Sequence, residues 1–187
     1  MKKILVSLLL LSFLLSGCEF TAQLVHLDTE AEVLKYAQKH YGDAEILFSE
    51  ISDTSHKYYF ADAELGFEYY VESYCKPMYV DNQVFGYIED KQSNFEFAYR
   101  EFLWNRLNID HMPDGVTLKL YTGSPNTTHG GTMGYIIVPD DIEPQTRKAF
   151  LLTVATQLTQ RDQRGFLHQY IVILQDQSGQ VLDTAEI

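Results

Sequence analysis

The chain has 187 residues, 45% of them hydrophobic and 13% aromatic, with 26 acidic against 14 basic side chains and a formal charge of −12. That acidity argues against nucleic acid and anionic headgroups as partners, because phosphate contacts depend on Lys and Arg. Two cysteines in a chain of this size do not make a disulfide scaffold.

The first element in chain order is a leader. Lys2 and Lys3 form a positive n-region, and Ile4 to Leu15 is a 12-residue apolar run followed by Ser16 and Gly17. As a helix this run rises about 18 Å, short of the ~30 Å hydrocarbon core that a permanent span must cross. Leu15-Ser16-Gly17-Cys18 resembles the bacterial lipobox. The resemblance implies cleavage before Cys18, diacylation of its thiol, and anchoring on the outer face of the cytoplasmic membrane, or on the outer membrane if the host is Gram-negative. Two acyl chains give stable anchoring where one holds only marginally. Removing the leader with its two lysines leaves 12 basic and all 26 acidic residues, a formal charge of −14. An acylated Cys18 cannot form a disulfide with Cys75, so core packing must stabilise the fold. Cys75, among strand-like residues, reads as a buried, inert thiol.

Residues 18–28 read as the lipidated cysteine and a short tether, and residues 29–187 as a single α+β domain. Thr29 and Glu32 form a capping box, and Val33, Leu34, Ala37 and Tyr41 follow at helical spacing up to Gly42, predicting a helix over 30–41. "AEILFSEI" alternates Ala44, Ile46 and Phe48 against Glu45 and Ser49; "HKYYFADA" is a further strand. "FEYYVESY" sets Phe67, Tyr69 and Val71 against Glu68, Tyr70 and Glu72, the pattern of an antiparallel sheet wet on one face. "MYVDNQVFGYIE" predicts a hairpin about Asp81-Asn82.

Ser93 with Glu96 repeats the capping-box signature, and Phe95, Ala98, Tyr99, Phe102 and Leu103 stripe a second helix over roughly 94–108. "DGVTLKLYTG" pairs with "YIIVP" across the Gly-rich loop "GSPNTTHGGTMG". Pro144 opens a third helix that Leu151, Val154, Ala155 and Leu158 line, and "FLHQYIVILQD" with "VLDTAEI" forms a hairpin closed by Gln177 to Gln180. The expected fold is α+β: one curved, mainly antiparallel sheet of about eight strands, with about three helices packed on one face.

Enzymatic signatures are sparse. The Gly-rich loop, where Gly130, Gly131 and Gly134 permit close backbone approach, lacks the G-x-x-x-x-G-K-[ST] of a phosphate cradle. "GSP" is not a nucleophile elbow, and the six histidines stand singly where zinc hydrolysis needs a cluster. No cofactor or metal motif is present. Carboxylate pairs of a glycosidase are separated in space rather than in sequence, which leaves a hydrolase of envelope material open, with His129 and nearby acids as its candidates.

The most informative feature is aromatic. Seven of the 13 tyrosines, Tyr58, Tyr59, Tyr69, Tyr70, Tyr74, Tyr79 and Tyr87, lie within 30 residues. Adjacent pairs must point to opposite sheet faces, which leaves some tyrosines off the core. Tyrosine suits half-buried strands and equally suits a recognition surface, and the sequence leaves both readings open. The candidate binding residues are Tyr59, Tyr70, Glu68 and Glu72, with His129 in the Gly-rich loop. The reading is a membrane-anchored, non-enzymatic module for a protein or peptide partner of basic character. Its more specific form is an immunity lipoprotein that neutralises an exported antibacterial toxin.

"VLKYAQKHYGDAEILFSEI", with Lys39-His40-Tyr41-Gly42 closing the helix, and the strands through "GFEYYVESY" resemble small lipoproteins of unknown function from low-GC Gram-positive bacteria over residues 30–90. That resemblance implies a helix before a strand meander; it implies no activity and no functional residues.

Overall fold

The computed structural model describes residues 25–109, 112–123 and 131–187. The leader, Cys18, most of the tether, and residues 124–130 of the Gly-rich loop with His129 lie outside the described residues. In chain order the elements are α1 (Glu30–Tyr41), β1 (Ala44–Ile51), β2 (Ser55–Asp62), β3 (Glu68–Val80), β4 (Gln83–Ser93) and α2 (Phe95–Asn105). They continue with β5 (Thr117–Leu120), β6 (Gly131–Val138), α3 (Pro144–Arg161), β7 (Tyr170–Asp176) and β8 (Val181–Glu186).

The α+β class holds, but the single eight-stranded sheet does not. The strands form two four-stranded sheets, ordered β1-β2-β3-β4 and β5-β6-β7-β8. The break falls where β4 runs into α2 instead of a hairpin, so β5 has no tight turn to place it beside β4. The second sheet also departs from pure antiparallel pairing: β6 and β7 are parallel. A parallel pair needs a long crossover, and α3 supplies it. The helices are divided accordingly, with α1 against β1 and β3 and α3 against β7 and β8. The chain separates into two compact units, one ending at Phe95 and the other beginning at Glu96.

In the first unit, α1 starts with the Thr29 amide and hydroxyl both donating to the Glu32 carboxylate, at 2.8 and 2.7 Å. Its Val33 and Ala37 are fully buried, and Tyr41 at its end stacks on Phe95 at 4.3 Å. Tyr58, Phe60, Tyr69 and Val71 fill the inner sheet face. Phe67, Tyr69 and Val71 thus point inward, as the alternation of "FEYYVESY" requires. The β3–β4 hairpin turns at Asp81 and Asn82, whose φ angles of 50° and 62° are the left-handed values of a two-residue primed turn. The second capping box does not form as expected: Ser93 Oγ accepts the Phe95 amide at 3.0 Å and donates to the Tyr70 carbonyl at 2.8 Å.

In the second unit, Leu151, Val154, Ala155 and Leu158 of α3 are buried, each contributing roughly 1.5–3 kcal/mol if it is large and fully covered. The helix ends at Asp162, whose carboxylate accepts the Tyr99 hydroxyl at 2.9 Å and the amides of Phe166 and Leu167 at 3.1 and 2.7 Å. That turn delays β7 to Tyr170, later than "FLHQYIVILQD" suggests. Gly131 and Gly134 are glycines because the chain's own rings occupy their space. A Cβ on Gly131 would enter the Tyr170 ring, and one on Gly134 would stand 2.5 Å from the Trp104 ring.

Candidate functional site

The outer face of the first sheet is read most directly from its register. Glu45 pairs with Ala61 and Ala61 with Glu68; one row further, Phe48 pairs with Tyr59 and Tyr59 with Tyr70. The next row brings Glu50, Lys57, Glu72 and Gln92 side by side. Because side chains on directly opposed residues share a face, three strands present a row of rings between two rows containing carboxylates.

The aromatic row exists because of a bulge. Simple alternation puts Phe48 inward with Ala44 and Ile46, yet the register shifts between Ile46 and Phe48. The extra residue, Leu47, turns Phe48 to the outer face, where it is 52% exposed. Its ring stacks on Tyr59 at 4.2 Å with the planes 15° apart, and Tyr59 is followed by Tyr70 at 6.1 Å. Lys57 closes the series, its Nζ 4.5 Å from the Tyr70 centroid.

Hydrogen bonds fix the lower row. Tyr59 donates to Glu50 at 3.2 Å. Glu72 accepts from Ser55 Oγ, from Gln92 Nε2 at 2.7 Å and lies 3.6 Å from Lys57 Nζ. Burial works to raise the Glu72 carboxyl, but those hydrogen bonds and the Lys57 charge outweigh it and hold the group below its ordinary value. Further along, Asp90 accepts from Tyr74 at 3.3 Å and from Lys76 at 2.6 Å. The upper row is different. Glu45 and Glu68 are exposed on either side of Ala61, and among the described residues neither is ion-paired.

Of the residues singled out from sequence, Tyr59, Tyr70 and Glu72 are adjacent, and Glu68 shares their face one row away. His129 lies outside the described residues. Sequence reasoning missed Phe48, because no period-two pattern marks a bulge. It also passed over Lys57, although "KYY" places Lys57 two residues from Tyr59 and therefore on its face.

The inner face carries a second polar cluster. The Asp28 amide donates to Ser73 Oγ at 3.0 Å, Ser73 donates to Glu89 at 3.0 Å, and Lys91 bridges Asp28 and Glu89 at 2.9 and 2.7 Å. His56 Nδ1 donates to the Asp28 carbonyl at 3.0 Å. This cluster pins the start of the described chain to β3 and β4. Cys75 is half-buried, and burial pushes its thiol above its ordinary value. Among the described residues no group of three His, Cys, Asp or Glu side chains could hold a metal ion, and no helix is long and apolar enough to cross a membrane. No protein-family model, curated protein or solved structure matches the chain.

Proposed function

We propose that the chain is an extracytoplasmic lipoprotein, held at the membrane by acylated Cys18, whose first sheet offers its outer face to a protein or peptide partner of basic character. The observation that carries this reading is the arrangement of Glu45 and Glu68 across Ala61, directly beside the Phe48–Tyr59–Tyr70 row. Two carboxylates flanking a small residue repel each other until a cation stands between them. With strands about 4.8 Å apart, their Cα atoms are roughly 10 Å apart, a span that suits a guanidinium or ammonium group. The stem of such a side chain would lie along the aromatic row, where rigid rings supply apolar area at low entropic cost. Lys57 on Tyr70 is the internal counterpart of that contact.

A photo-crosslinking residue in place of Phe48, in intact cells, tests the reading. The expected result is one discrete protein adduct that disappears in a Glu45→Gln, Glu68→Gln background and is absent when the crosslinker replaces exposed Leu152 on α3. Adducts equal at both positions, or unchanged by neutralising the two carboxylates, would contradict it.

A further inference from the structure

Among the described residues, the β3–β4 hairpin has no third strand beyond Cys75. β2 begins at Ser55, opposite Tyr74, so residues 76–88 form a two-stranded arm. Such a ribbon is marginal in water unless something covers it. This one is apolar on both faces: Met78 and Val80 alternate with Tyr79, and Val84 opposes Tyr79. Met78, Tyr79, Val80, Phe85 and Ile88 are 38%, 63%, 56%, 78% and 44% exposed. Between Lys76 and Glu89 the sole formal charge is Asp81, at the tip.

We propose that this arm is a second membrane contact, its tip seated in the bilayer interface to which Cys18 is anchored. The path of the chain selects a lipid surface as the occupant. Asp28, just before α1, is tied to Ser73 at the base of the arm, and α1 ends at Tyr41, which meets Tyr69 at 5.6 Å on the far side of that base. The tether to Cys18 is therefore joined to the domain at the base of the arm. The lengths also agree. From Ser73 to Asp81 the arm rises about 26 Å at ~3.3 Å per residue. The ten steps from Cys18 to Asp28 extend at most about 35 Å. An acylated Cys18 and the arm's tip can thus meet one plane. Tyr79, Val80 and Phe85 are the residue types that settle at an interface, a ring with a polar tip beside purely apolar groups. With one acidic residue at the tip, the contact is apolar and insensitive to salt.

The inference draws on the proposed acylation of Cys18 for its geometry, and the experiment separates the two. The chain from residue 18, which contains every described element, carries Cys18→Ser so that no acyl chain contributes, and Phe85→Trp as a reporter; Trp104 is buried and serves as internal reference. With phosphatidylcholine vesicles, the emission of the indole introduced by Phe85→Trp should shift to the blue and be quenched by brominated lipid, equally at low and high salt. A Val80→Asp, Phe85→Asp pair, tested by vesicle co-sedimentation with its circular dichroism unchanged, should lose at least about ten-fold in partitioning. No lipid-dependent shift, or unchanged partitioning of the double variant, overturns the proposal. So does a shift that grows with protein concentration without lipid, which would make a second copy the occupant. The acylation state of Cys18 in the native protein is read separately by mass. An unacylated Cys18 with a lipid-binding arm removes the anchor alone, and an acylated Cys18 with a lipid-inert arm removes the arm alone.

Discussion

Glu72 shows how single residues organise the outer face. It is approached by Ser55, Lys57 and Gln92, all from neighbouring strands, and its carboxyl is held below its ordinary value. A depressed carboxyl adds stability that is present above the unfolded-state pKa and is lost as pH falls through the folded one. Glu72→Gln should therefore cost about 1 kcal/mol near pH 7, discounted for partial exposure, in urea unfolding. The gap between wild type and variant should close below about pH 4. A gap that persists in acid would mean that packing, not charge, holds the site. Tyr59, Tyr70 and Glu72 were legible in the sequence because period-two alternation survives along β2 and the first half of β3. Phe48 was not, since one inserted residue reverses the face of all that follow it.

Among the elements, the β3–β4 hairpin was the most legible. Asp and Asn tolerate left-handed backbone, and both turn residues adopt it. Asn82→Val should destabilise the turn by about 1–2 kcal/mol. Because the arm extends past β2, that cost should open the arm locally. Amide exchange at Val80 and Gln83 should accelerate about ten-fold or more while the global unfolding midpoint barely moves. A matching drop in the midpoint would show the arm to be part of the cooperative core. The helices were legible through their apolar stripes, the Thr29–Glu32 box and Pro144, whereas the parallel pairing of β6 with β7 was not. Two hydrophobic runs look alike whether they pair directly or through a helix, and only packing of α3 on β7 and β8 decides it.

For the whole molecule, the division into two sheets follows from the helix and loop after β4, which the order of elements contained but hairpin logic overrode. At this scale composition carries the charge, and the leader carries only the proposed location. A formal charge of −12, net acidic on the outer face as well, turns the molecule toward basic groups and away from anionic surfaces. With Cys18 acylated as proposed, the tether would hold Asp28 within about 35 Å of the membrane, and the face of rings and carboxylates would meet its proposed partner near that surface rather than in free solution. The measurement that bears most directly on the account is the mass of the first residue of the native protein, purified from membranes. The account predicts a chain beginning at Cys18 with a diacylglycerol thioether on its sulfur. A chain that begins elsewhere, or an unmodified Cys18 on protein recovered from the culture fluid, would contradict it.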